Sequence, residues 1–239
     1  MPERLIQKLL LRDKVSDDEQ AALRALPVQE RAYGNGDVIV PFGARPTSSN
    51  LLLEGFICRF RDLNDGSRQI VALHVPGDFV DLQSFLLKVM DHGLMAVGPC
   101  RIAIVPHEHL TKVTRTFPHL TRLLWFSTLI DAAIHREWAM RLGALPALPR
   151  MAHLFCEIYV RLEVVGLARD HRFSIPLGQR ELSEALGLSL VHTNRVLQKL
   201  RAGRLVTVSN STFEIHDWNA LRTLADFDPT YLHLEKVPR

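Results

Sequence analysis

The chain has 239 residues, 47% of them apolar, which is ample for the cores of one or two domains, with two the better fit to the length. Its formal net charge of +3 is too small to mark a nucleic-acid protein by itself, so any such argument rests on local clustering. No apolar run reaches the roughly 18 residues of a membrane span, and MPERLIQKLLLRDK has neither a secretory core nor a cleavage site, which predicts a cytoplasmic protein with no membrane partner.

The first segment reads as two helical pieces ending near Leu26, the second opened by the capping-box pattern Ser16-Asp17-Asp18-Glu19 and closed by Pro27. From Arg31 to Pro106 strand and turn signals take over. They run through Gly34-Asn35-Gly36-Asp37, Val38-Ile39-Val40, Asn50 to Phe60, and Gln69 to Val75 beyond the turn Asn64-Asp65-Gly66. This spacing predicts a compact β barrel or roll. Pro76-Gly77-Asp78-Phe79 marks a corner, a short helix-like piece spans Leu82 to Met90, and Leu94 to Val105 is extended.

From about Thr111 to Leu142 the pattern becomes one long helix, with Pro118 at a position where a helix can begin. Apolar groups lie on more than one of its faces, so it can cover the roll on one side and a second copy of itself on the other. Leu123, Ser127, Ile130, Ile134 and Trp138 form the candidate dimer face. Gly143 to Pro149 breaks the helix and divides the chain into 1–142, a hinge at 143–149, and 150–239. Another helix, Arg150 to Leu167, leads through Phe173-Ser174-Ile175-Pro176-Leu177 to the most informative stretch.

Gln179 to Arg204 has the layout of a helix-turn-helix. Leu182, Leu186, Val191, Val196, Leu197 and Leu200 share one side, Gly187 suits the sharp turn, and Ser189 is placed to cap the second helix. Its exposed face would carry Leu190, Val191, His192, Asn194, Arg195, Gln198 and Lys199. Arg195 can pair with the N7 and O6 edge of guanine, Asn194 and Gln198 with adenine, and Val191 can pack on a thymine methyl. Between Ser189 and Arg204 lie four basic residues, Arg195, Lys199, Arg201 and Arg204, and no acidic one, which attracts phosphate. Leu205 to Val208, the turn Ser209-Asn210-Ser211, and Thr212 to Ile215 then read as a hairpin, so the unit is a winged helix. Asp217 is placed to cap a last helix through Trp218, Leu221 and Leu224, which Asp228-Pro229 stops.

Other constellations are weak. Cys58, Cys100 and Cys156 are odd in number and far apart, which predicts buried thiols rather than a disulfide or metal set. His107 and His109 lack a matched third ligand, Asp91-His92 lacks a nearby nucleophile, and no enzyme activity, metal or cofactor is predicted.

A β roll, a long linking helix and a winged helix, in that order, make the chain resemble the Crp/Fnr superfamily of bacterial transcription regulators over nearly its full length. The features that carry the resemblance are Pro76-Gly77-Asp78-Phe79 and the run from Gln179-Arg180-Glu181-Leu182 through Gly187-Leu188-Ser189 to Asn194-Arg195-Val196-Leu197. The resemblance implies an α+β fold with a cyclic-nucleotide-binding-like roll, a dimerisation helix and a winged helix-turn-helix. It also implies a homodimer on a pseudo-palindromic operator, with double-stranded DNA and RNA polymerase as partners. Gln179, Ser189, Val191, His192, Asn194, Arg195, Gln198 and Lys199 become the DNA-contact residues. Family members commonly carry Glu where Val191 stands, so a different half-site base is expected there. The cyclic-AMP-binding members hold the ribose with Gly-Glu and the phosphate with Arg-Ser, and the matching positions here are Asp81-Leu82 and Met90-Asp91. Aspartates in place of a guanidinium would repel a cyclic phosphate, so no cyclic AMP response is expected and the effector stays unknown. The alternative reading is a ligand-binding regulatory roll whose winged helix contacts protein.

Overall fold

In the computed structural model, which describes residues 2–238, α1 (Glu3–Arg12) and α2 (Asp17–Arg24) precede the roll. Ser16 caps α2 as the sequence predicts. Its Oγ accepts from the Glu19 amide at 3.2 Å, and the Glu19 carboxylate accepts from the Ser16 amide at 2.9 Å. The roll is an antiparallel sheet of β1 (Gln29–Tyr33), β2 (Val38–Val40), β3 (Ser48–Asp62), β4 (Arg68–His74) and β5 (Gly93–Pro106). The strand order is β1-β5-β3-β4, with β2 also on β5. β3 and β5 pair from Ser48 with Pro106 to Phe60 with Gly93, shifting register on either side of Glu54. Such bulges bend long strands, and the sheet folds over a core that includes Val40, Leu52, Ile57, Val80, Met90 and Ile102.

Of the helix-like piece expected over Leu82 to Met90, only α3 (Ser84–Leu87) is helical. The single helix expected from Thr111 is likewise two, α4 (His107–Thr116) and α5 (Pro118–Ala144). Proline disfavours the helical conformation in the residue before it, and Phe117 sits at φ −123°, ψ 85°. The expected hinge is also shorter. Gly143 stays helical, only Leu145 and Pro146 separate α5 from α6 (Ala147–Val164), and Pro149 falls in the first turn of α6, where its missing N–H costs nothing.

The candidate dimer face on α5 is turned inward. Leu123 is buried with Leu5, Leu9 and Val105, whereas Ile130, Ile134 and Trp138 are buried against α6 and the roll. Ser127 is half-buried and donates its hydroxyl to the Leu123 carbonyl at 3.0 Å. Leu123, Ile130, Ile134 and Trp138 therefore serve the chain's own core, and Ser127 bonds within α5. The side facing solvent instead carries Trp125, Leu129 and Met140, with 65%, 50% and 45% of their surface exposed.

Beyond α6 come β6 (Ala168–Arg169), β7 (Arg172–Ser174), α7 (Gln179–Leu186), α8 (Leu190–Ala202), β8 (Val206–Ser209), β9 (Thr212–Ile215) and α9 (Trp218–Ala225). The second sheet has the order β6-β7-β9-β8. One core joins Phe56, Phe60 and Leu73 of the roll, Ile134 and Trp138 of α5, most of α6, and Leu182, Val196 and Phe213 of the winged unit. The two halves thus meet over an apolar interface. Gly98, at φ 73°, lets β5 approach that interface, where a Cβ would lie 2.4 Å from Pro176 Cγ.

Candidate DNA interface

The helix-turn-helix is built by local chemistry. The Glu181 carboxylate accepts from the Gly178 amide at 2.9 Å and starts α7. Gly187 ends it in the left-handed conformation, φ 60° and ψ 42°, with its amide bonded to the Ser183 carbonyl. Ser189 then caps α8, its Oγ accepting from the His192 amide at 3.2 Å. Leu182, Ala185, Leu186, Val196 and Leu200 face inward. Thr193 is also fully buried.

Every residue proposed for DNA contact lies at the surface. Gln179, Ser189, Val191, His192, Asn194, Arg195, Gln198 and Lys199 are all exposed, as are Arg201 and Arg204. Val191, counted by spacing with the packing side and by chemistry with the reading side, is 71% exposed and belongs to the second. The wing follows through Asn210 and Ser211, both at positive φ (47° and 62°), a two-residue turn of the kind that matches strand twist. Asp217 caps α9 by accepting from the Ala220 amide at 2.9 Å.

The sequence reading missed the β6–β7 hairpin, whose turn residues Asp170 and His171 both have positive φ and which adds exposed Arg169 and Arg172 beside the wing. It also missed a charged network beneath the interface. Glu157, fully buried on α6, accepts from Trp138 Nε1 at 3.0 Å, Tyr231 Oη at 2.9 Å and Arg161 at 3.0 Å. Arg161 reaches on to Asp78 of the roll corner at 3.1 Å, and Lys8 of α1 pairs with the same carboxylate. Burial alone would raise the Asp78 carboxyl, but Lys8, His74 and Arg161 hold it well below the usual range. The signal was available only as scattered charges in otherwise apolar stretches.

The candidate effector residues do not converge. Asp81 is buried and holds the amide and the Nδ2 of Asn50, both at 2.6 Å, and burial pushes its carboxyl up to about 6. Met90 lies in the roll core, Leu82 packs in a separate core with Leu5 and Leu9, and Asp91 is on the surface bonded to His92 Nδ1 at 2.6 Å. The resemblance matched the four positions to one site, but Leu82 and Met90 go to different cores while Asp81 turns to Asn50 and Asp91 to the surface. Arg59, buried beneath this corner, donates to the Val80 carbonyl at 2.7 and 3.0 Å, to Gln83 at 3.2 Å and to Asp131, so its guanidinium is already engaged.

All three cysteines are buried, and burial pushes the Cys58 and Cys156 thiols up to about 12 and Cys100 to about 11. His107 begins α4, with Nε2 3.1 Å from Ser49 Oγ. Among the described residues no group of His, Cys, Asp and Glu is arranged to hold a metal ion, and no helix is long and apolar enough to cross a membrane.

Comparison with known proteins agrees with this geometry. Residues 30–117 match the cyclic nucleotide-binding domain family and residues 149–224 the Crp-like helix-turn-helix domain family. The transcriptional activator protein FnrL of Cereibacter sphaeroides is 23% identical over 195 residues, 80% of this chain and 78% of that protein. The nitrogen fixation regulation protein FixK of Bradyrhizobium diazoefficiens is 23% identical over 194 residues, 81% of this chain and 80% of its own length. The solved structure of FixK2 from Bradyrhizobium japonicum superposes with a TM-score of 0.76 at 23% identity, covering 83% of this chain and 98% of that one. That of the c-di-GMP responsive regulator CLP from Xanthomonas campestris does so at 0.63 and 17%, covering 84% and 100%. With both domain families matched in this order around a docked winged helix, the chain belongs to the Crp/Fnr family of DNA-binding transcription regulators.

Proposed function

We propose that the protein acts in the cytoplasm as a homodimer that reads a pseudo-palindromic operator with two copies of α8 and does so without cyclic AMP. The observation that carries the reading is the exposed row Val191, Asn194, Arg195 and Gln198 on a capped helix with no acidic residue. The second copy would meet α5 along Trp125, Leu129, Ala132, Arg136 and Ala139, whose spacing alternates four and three residues as two paired helices require. Independence from cyclic AMP is supported by Asp81, whose carboxylate is spent on Asn50, and by Arg59, whose guanidinium is spent on Asp131 and Val80. The sensor unit would comprise residues up to Ala144 and the DNA-binding unit those from Ala147, with the turn at Leu145 and Pro146 as the pivot. RNA polymerase is the protein partner that the family likeness supplies.

Binding of labelled duplex across a salt series tests this reading. Arg195→Ala should cost about 1–3 kcal/mol per half-site and relax one base position, whereas Lys199→Ala should weaken all sequences alike and reduce the salt slope by about 1. An unchanged base preference in Arg195→Ala would refute the groove placement. A flat slope in the unaltered protein would favour a winged helix that contacts protein, for which the exposed Leu190 and Val191 offer apolar surface.

A further inference from the structure

Outside the DNA face, a cleft lies where the roll corner meets α1, α5 and α6. It offers about 70 Å³ to a guest and is walled by apolar groups such as Leu5, Phe79, Ile130 and Ile134. Its charged residues are already engaged: Arg12 donates to the carbonyls of Lys8, Leu232 and His233. Lys8 and Arg161 both hold Asp78, Arg161 also holds Glu157, and Asp131 holds Arg59. An ionic guest would have to displace one of these contacts, at the cost of leaving a group buried and alone.

One polar group in the wall is different. His74, at the end of β4, is 2% exposed and lines the cleft, and its Nε2 has no hydrogen-bond partner among the described residues. Its Nδ1 lies 3.6 Å from Asp78 Oδ2, which favours the ring proton on that side and leaves a lone pair on Nε2. Burial and the nearby Arg59 hold the ring down to about 4, so it stays neutral at physiological pH and keeps that lone pair. A buried acceptor without a partner has lost its hydration for no return.

We propose that this cleft is a binding site for a compact, uncharged molecule with an apolar body and one hydrogen-bond donor, which it presents to His74 Nε2. The walls supply apolar contact, the engaged charges disfavour ions, and the bare imidazole nitrogen selects a donor over an acceptor. Asp78 and Arg161 both line the cleft, so a guest there would sit against the bridge that joins the roll to α6. The site does not depend on the operator reading and can be tested without DNA.

Pyrrole and furan are matched probes, alike in shape and size, of which only pyrrole has an N–H to donate. Each is titrated into the full-length protein carrying ¹⁵N-labelled histidine, with the His74 resonance assigned through His74→Gln. Pyrrole should shift His74 Nε2 saturably and bind about tenfold more tightly than furan, the effect of one hydrogen bond. His74→Phe should abolish that preference. Equal binding of the two probes, shifts that never saturate, or a pyrrole preference that survives in His74→Phe would overturn the proposal and leave a cleft that holds water only. Should His74→Phe fail to fold, the comparison of the two probes in the unaltered protein still decides.

Discussion

Leu129→Glu is expected to separate the two copies without unfolding either. Leu129 is half exposed on the solvent side of α5, and full burial of a leucine contributes about 1.5–3 kcal/mol, so covering its remaining surface contributes about 1 kcal/mol per copy. A two-fold axis doubles this to about 2 kcal/mol. Two glutamates brought together across the seam add desolvation and like-charge repulsion of about 1–2 kcal/mol more. The sum, about 3–4 kcal/mol, raises the dimer dissociation constant by roughly two to three orders of magnitude. Sedimentation velocity over a concentration series measures that shift, and urea unfolding of the dilute protein should show little change. Ile130→Glu is the contrast. Ile130 is only 7% exposed within one chain, so a carboxylate there should cost the fold about 3 kcal/mol or more rather than loosen the dimer alone. A Leu129→Glu protein that dimerises as before, alongside a folded but monomeric Ile130→Glu, would refute the assignment of the α5 faces.

Three further outcomes follow from the buried charges. Asp78→Asn leaves Lys8 and Arg161 with no carboxylate between them and should destabilise the protein by about 3–5 kcal/mol, read from the urea midpoint, with Lys8→Met in the same chain recovering most of the loss. A change within about 0.5 kcal/mol would show that the network holds nothing together. His74 and His153 are held down by burial to about 4 and about 3, against an ordinary 6.5, so between pH 6.5 and 4 the unfolded chain binds protons that the folded one does not. Stability is therefore present above pH 6.5 and lost on acidification, by about 3 kcal/mol for His74 alone, and urea midpoints that stay flat from pH 7 to 4.5 would contradict this. His119 has the opposite sign: burial opposes its charge, yet hydrogen bonds to Glu19 and Asp13 raise it. Its anchoring of the α1–α2 segment is fully present below the ordinary histidine range and is lost as the pH rises through its folded value. His119→Gln should remove that decline, and an unchanged pH profile in the variant would contradict the assignment.

What the sequence made legible is what is written in short-range chemistry. Ser16 with Glu19, Gly187, Ser189, the Asn210-Ser211 turn and Asp217 each act within a few residues, and each does in the fold what its spacing implies. The reading face of α8 was legible for the same reason, since Val196 and Leu200 must turn inward together. The inward face of α5 was not. Ile130 and Leu129 are adjacent apolar residues on a helix apolar on more than one side, and only the tertiary partners, α6 and the roll, decide which is covered. The β6–β7 turn escaped because Asp170 and His171 are not the Gly or Asn that usually announce positive φ. The effector positions were matched by resemblance alone, and Asp81, Leu82, Met90 and Asp91 lie in a loop, where no local pattern determines the direction of a side chain. The network of Lys8, Asp78, Arg161 and Glu157 joins residues far apart in the chain, and no local pattern encodes it.

Selection of bound duplexes from a random DNA pool, run without ligand and again with cyclic AMP, tests the central claim most directly. A pseudo-palindrome with half-sites about one helical turn apart, recovered equally in both, is the result expected of two α8 helices in successive major grooves. Recovery only with cyclic AMP, or enrichment of no motif in either, would contradict a cyclic-AMP-independent dimeric reader.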